Sequence, residues 1–125
     1  MNHCELQALR KMLMIDVSEA AQHIGKVSPR TWQYWESERY RIPDDVKLLM
    51  KDLVEKRRAL IEKLKNACTT ALKSNQSYAL PYYRMFEDFQ HKHSSDDVIA
   101  WRIHQSAAAA IFSELNISLT DEKNT

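Results

Sequence analysis

The sequence predicts a mainly α-helical protein: a head of short helices, then a small, mostly helical second part with one or two short strands. Three observations carry this. The 125 residues include one glycine and three prolines, too few turn formers for a sheet with tight hairpins. Two short helical patterns flank that glycine, Gly25, and each is opened by its own capping residue. From Asp44 to about Leu72 the chain has no helix breaker and keeps a helical period. A chain of this length supports one domain, or one small domain with an oligomerising extension. The expected division is residues 1–73 and 74–125.

The first helix is expected from about Cys4 to Ile15, with Leu6, Leu9, Met12 and Leu13 at helical spacing and Arg10 and Lys11 facing out. A second helix follows Asp16, which with Glu19 has the spacing of a capping box. Ala20, Ala21 and Ile24 form its inner face, and Gly25 is expected to end it in a left-handed backbone. The third helix opens with Ser28 as cap and Pro29 in the first helical position. Trp32 and Trp35 share its inner face, leaving Arg30, Gln33, Tyr34 and Ser37 on the other side.

After Ile42-Pro43 comes the long helix, carried by Val46, Leu49, Met50, Leu53, Leu60, Ile61 and Leu64. A bend near Arg58, giving two helices, is an alternative. Ser74 to Ser77 is a polar break, and Tyr78–Tyr83, containing Pro81, reads as a short edge strand. Residues 84–91 read as a short helix. Asp96 or Asp97 caps a last helix that runs to about Leu115; Asn116–Thr120 is a candidate second strand, and the tail to Thr125 is expected to be loose.

The last helix is apolar around most of its circumference. Val98, Trp101, Ala108, Phe112 and Leu115 line one face; Ile99, Ile103, Ala107 and Ala110 line another. Only Arg102, Ser106 and Ser113 mark a polar stripe. Burial on several sides is implied, and a second part this small offers little to cover it. The expectation is a homodimer interface through Trp101, Ala108, Phe112 and Leu115. A compact monomeric core is the alternative.

The net charge of +1 is unevenly spread: residues 1–73 hold 14 Lys/Arg and 10 Asp/Glu, while residues 74–125 hold 4 and 7. That bias suits a first part that meets a polyanion. Cys4 and Cys68 have no metal-like or redox-like spacing, and neither a leader nor an apolar run of membrane length is evident, so a cytoplasmic protein with reduced thiols is expected. His91 and His93, near Asp96 and Asp97, lack a cysteine or third ordered ligand and read as exposed histidines. No metal or cofactor is expected. A glycine-rich phosphate loop, a nucleophile with an ordered base and paired carboxylates in an apolar setting are all missing, so an enzyme is not expected.

A capped helix, a turn and a second capped helix with aromatics inside and hydrogen-bonding groups outside make a helix-turn-helix, whose second helix enters the DNA major groove. Arg30 is the first candidate for base readout, since a guanidinium can bond both O6 and N7 of guanine; a phosphate contact or a solvated side chain is the alternative. Gln33 has the geometry for adenine, or is an ordinary exposed helix residue. Tyr34 meets a thymine methyl or a phosphate, or packs against the head. Ser28 is a candidate hydrogen-bond donor to a phosphate, or a cap alone. Lys26 in the turn, and Arg39 and Arg41 past the third helix, are phosphate candidates or plain surface charge. Glu36 is expected to cap or pair locally.

Ala21-Gln22-His23-Ile24-Gly25, followed by Trp32 and Trp35-Glu36, resembles the Cro/repressor-type, lambda-repressor-like helix-turn-helix. Leu6–Lys11, Asp16–Ala21, Trp32–Ser37, Pro43–Val46 and Trp101–Ser106 together resemble the YdiL-like regulators, which include the anti-CRISPR-associated repressors of phages. The resemblance spans nearly the full chain and is densest over residues 5–46. It implies a dimeric autorepressor with an N-terminal DNA-reading head and a C-terminal dimerisation domain, binding an inverted-repeat operator on double-stranded DNA. Two departures stand out: the turn after Gly25 is one residue longer, with Lys26 inserted, and Glu38 stands where a glycine is common. An antitoxin-type interaction module that also represses its own operon is the competing function, and RNA binding through the same head is a third.

Overall fold

A computed structural model describes residues 1–76 and 78–123. Ser77 of the expected polar break, and Asn124 and Thr125 of the expected loose tail, lie outside the described residues. The described residues are mainly helical, with a small two-stranded sheet. It divides into two compact units, Met1–Lys56 and Arg57–Thr125. The unbroken pattern after Asp44 folds as one helix, α4 (Asp44–Lys73), without a break at Arg58. The unit boundary therefore falls inside this helix, upstream of residue 73.

In the first unit, α1 (His3–Met12) opens with a capping box: the Asn2 carboxamide accepts from the Glu5 amide, and the Glu5 carboxylate accepts from the Asn2 amide, both at 2.8 Å. It ends earlier than its apolar pattern, because Met14 turns left-handed at φ 61°. Asp16 and Glu19 form the expected box on α2 (Val17–Ala20), which widens into a π-helical turn over Ala21–Gly25. α3 (Pro29–Glu36) has Ser28 as its cap and Pro29 in its first position. Leu6, Leu13, Ile15, Ala20, Ala21, Trp32 and Met50 are fully or almost fully buried and make the core.

Two expectations are corrected here. Arg10 does not face out. It lies in the Leu6–Leu13 stripe and is 8% exposed, donating to the Ile15 carbonyl at 3.1 Å and to the Glu36 carboxylate. A charged side chain can be inside when its donors are met. Nor is Gly25 the left-handed residue: that is Lys26, at φ 55°. A β-carbon at Gly25 would come within 2.9 Å of the Trp35 ring and 3.2 Å of the Trp32 ring. Glycine is needed there so that the two indoles can close on the backbone.

The second unit holds the later turns of α4, then β1 (Leu80–Tyr82), α5 (Phe86–His93), α6 (Val98–Leu115) and β2 (Leu119–Asp121). The strands pair in parallel, Leu80 opposite Leu119 and Tyr82 opposite Asp121. A parallel pair needs a long crossover, which α5 and α6 supply. Asp97 caps α6 by accepting from the Ala100 amide, and left-handed Asn116 ends it. Cys68, Leu80, Ala108, Ile111 and Ile117 form one core cluster; Tyr83, Phe89 and Trp101 form another.

α6 is covered largely by its own chain, with Ile99, Trp101, Ile103 to Ala108 and Ile111 all buried. Ser106, expected on a polar stripe, is 2% exposed and bonded to the Arg57 guanidinium at 2.7 Å. The Trp101 indole and the Gln105 carboxamide both donate to the Tyr83 carbonyl, at 2.7 and 3.0 Å. His104 is buried among Tyr83, Phe89 and His93, and its Nδ1 has no hydrogen-bond partner. Burial, together with the nearby His93, pushes its pKa down to about 4.

Candidate nucleic-acid interface

The candidate interface is the outer face of α3. Its inner face is fixed by Trp32 and Trp35, whose rings lie 5.4 Å apart, and by Glu36. Arg10 grips both oxygens of Glu36, at 2.7 and 3.0 Å, and the Trp32 indole donates to the same carboxylate. Burial pulls the Glu36 pKa up, but these charged and neutral donors outweigh it and hold the group below the ordinary carboxylate value. Because Arg10 is on α1, the pair locks the rotation of α3 against α1.

That lock leaves Arg30 and Gln33 exposed on one side of a short, well-capped helix. The turn before α3 takes up the extra residue in two ways. The π-helical turn widens so that the Ala21 carbonyl accepts from both Lys26 and Val27, and Lys26 adopts the left-handed region. Lys26 and Ser28 are exposed beside the start of α3, and the Ser28 hydroxyl accepts from the Thr31 amide at 3.2 Å.

At the other end, Glu38 does adopt the backbone a glycine would favour, at φ 70°. The reversal lets the Tyr40 amide donate to the Tyr34 carbonyl at 3.1 Å. The Tyr40 ring then meets Tyr34 edge-on at 4.8 Å, and the Arg39 guanidinium lies 4.6 Å from the centre of the Tyr34 ring. Tyr34 is thus half-buried in contacts of its own. Arg41 is exposed, 3.8 Å from the Asp44 carboxylate, and lines a cleft of about 330 Å³ with His3, Trp35 and Lys47.

Lys26, Ser28, Arg30, Gln33, Tyr34, Arg39 and Arg41 therefore all lie on α3 or on the turns at its two ends. Of the residues proposed for a dimer contact, Phe112 and Leu115 are 49% and 41% exposed, whereas Trp101 and Ala108 are inside their own unit's core. Sequence reasoning missed Arg10 as the partner of Glu36 and Tyr40 as the partner of Tyr34. The signal for Arg10 is its place between Leu6 and Leu13 on the apolar stripe; for Tyr40 the one signal is indirect, the glycine common at the position of left-handed Glu38. Among the described residues no His, Cys, Asp or Glu side chains group as a metal site, and no helix is long and apolar enough to cross a membrane.

Known proteins match most of the chain. The "Aca2 repressor" of Pectobacterium phage ZF40 is 45% identical over 114 residues, covering 91% of this chain and 95% of the relative. The "Uncharacterized protein YdiL" of Escherichia coli (strain K12) is 29% identical over 117 residues, covering 90% and 93%. The Aca2/YdiL-like family model matches residues 1–119. The chain belongs to the Aca2/YdiL-like family.

Proposed function

We propose that the protein is a sequence-specific DNA-binding transcriptional regulator, a dimeric repressor of its own gene that reads an inverted repeat and carries no enzymatic activity. α2 and α3 serve as a helix-turn-helix, with α3 in the major groove. The observation that carries this reading is the pairing of a locked inner face with an open outer one. Arg10, Trp32, Trp35 and Glu36 fix the helix, and Arg30 and Gln33 project from it unburied. Preorganised donors on a rigid element are what base readout requires. The name of the relative that is 45% identical, a repressor, supports the regulatory part.

Lys26, Ser28, Arg39 and Arg41 contact phosphates on either side of α3, which fixes its register. Two copies read half-sites about one helical turn, roughly 34 Å, apart. The exposed Phe112 and Leu115 supply a dimer contact, and the protein acts in the cytoplasm. Footprinting on the region upstream of its own gene tests the reading: protection of an inverted repeat is expected, and uniform protection would contradict it. Co-purification of a small toxin-like polypeptide, with no such protection, would favour the antitoxin-type module.

A further inference from the structure

We propose that Tyr34 and Tyr40 form an aromatic platform that sets the Arg39 guanidinium in place before DNA arrives, so that Tyr34 acts as a positioning residue for a phosphate contact. This rests on the DNA-reading role of α3 proposed above. Three contacts built by one backbone reversal carry it. Left-handed Glu38 folds the chain back, and the Tyr40 amide then donates to the Tyr34 carbonyl at 3.1 Å. The Tyr40 ring packs edge-on against Tyr34 at 4.8 Å, which limits the Tyr34 ring's own rotation. The Arg39 guanidinium carbon lies 4.6 Å from the centre of that ring, well within cation–π range.

An exposed arginine gives up much of its rotamer freedom when it grips a phosphate. One already held against a ring gives up less. A cation–π contact needs no N–H···O hydrogen bond, so the guanidinium keeps its N–H donors for phosphate oxygens. Tyr34 supplies the face; its hydroxyl is not required. The exposed Tyr40, 51% accessible, is explained by the same role: it stays at the surface to brace Tyr34.

The experiment measures affinity and salt dependence for the duplex that the wild-type chain selects from a randomised pool. The variants are Tyr34→Phe, Tyr34→Leu, Arg39→Ala and the double Tyr34→Leu/Arg39→Ala, each checked for an unchanged melting curve. Arg39→Ala is expected to weaken binding about five- to tenfold and lower the salt slope by about one. Tyr34→Leu is expected to lose a similar factor, Tyr34→Phe no more than about twofold, and the double variant no more than about twofold beyond Arg39→Ala. Wild-type affinity in Tyr34→Leu, or single losses that multiply in the double, would overturn the proposal. So would a Tyr34→Phe loss equal to that of Tyr34→Leu, which would make the hydroxyl a direct DNA contact.

Should Tyr34→Leu fail to fold, the free wild-type protein still decides the matter by NMR. Ring-current-shifted Arg39 side-chain protons that return toward random-coil values in Tyr40→Leu are expected; unshifted wild-type protons would overturn it. A wild-type chain that selects no sequence, with Arg39 still shifted, would instead remove the DNA-reading role and leave the platform standing.

Discussion

Arg10 and Glu36, 26 residues apart, form a two-point ion pair at 2.7 and 3.0 Å inside the head, with side chains only 10% and 7% exposed. Removing one partner strands the other charge. Glu36→Gln and Arg10→Ala are each expected to destabilise the head by about 3–5 kcal/mol, whereas an apolar replacement of both is expected to recover most of that loss. Denaturant titration of the three variants checks this. The pair also sets a pH dependence. Glu36 has a lowered pKa in the folded state, so its contribution is fully present above the ordinary carboxylate value and is lost as pH falls through the lowered one.

Gly25→Ala is expected to destabilise the head by about 1–3 kcal/mol, although alanine is the better helix former. The added methyl meets Trp35 at 2.9 Å and Val27 at 3.1 Å, and Trp35 is a packed ring with little room to give. A lowered melting temperature is the expected result. Because the backbone at Gly25 is not left-handed, an unchanged melting temperature would mean that the two indoles yield.

Glu38→Gly is expected to act the other way. The glutamate sits at φ 70°, a region that costs an ordinary side chain roughly 1 kcal/mol or more. Glycine relieves that and returns part of it as entropy of the unfolded chain. A net gain of about 0.5–1 kcal/mol in chemical denaturation is the expected outcome.

Between pH 6.5 and 4 the second unit is expected to lose stability. His104 is buried and neutral, with its pKa pushed down to about 4, while in the unfolded chain it takes up a proton near 6.5. The depressed imidazole therefore favours the folded state fully above pH 6.5, and that advantage declines as pH drops toward 4. One proton gives a slope of about 1.4 kcal/mol per pH unit. His104→Phe, which keeps a ring against Tyr83 and Phe89, is expected to flatten that part of the profile.

Charge placed on α6 separates folding from association. Ala108→Glu puts a carboxylate into the cluster of Cys68, Leu80 and Ile111 and is expected to unfold the second unit. Phe112→Glu or Leu115→Glu alters an exposed position and is expected to leave the fold intact while shifting a dimer to monomer. Ultracentrifugation beside circular dichroism distinguishes the two outcomes.

The legible parts of this fold are those set by neighbours in sequence. The Asp16–Glu19 box, Ser28 with Pro29, and the Asp97 cap are local hydrogen-bonding devices, and all three fold as their spacing implies. The roles of Arg10 and Gly25 are not legible in the same way, because they depend on partners brought together by folding: a carboxylate on α3 and the faces of two indoles. The apolar circumference of α6 is likewise ambiguous in sequence. Only the placement of α4, β1 and α5 around it shows that its own chain covers Trp101 and Ala108 and leaves Phe112 and Leu115 exposed. At the candidate interface, periodicity identifies which residues point outward from α3. The placement of Arg39 over the Tyr34 ring follows from a backbone reversal at Glu38, which glutamate itself does not signal and only the glycine common at that position hints at.

If the open face of α3 reads base edges, the most direct measurement is competitive binding of wild-type protein and Arg30→Ala to the inverted repeat upstream of the gene and to random duplex at about 150 mM salt. The expected result is a wild-type preference of roughly a thousandfold or more, with Arg30→Ala losing about 1–3 kcal/mol of specific binding at an unchanged melting temperature. Equal affinity of the wild-type protein for both duplexes, or an Arg30→Ala protein that still discriminates as well as wild type, would contradict it.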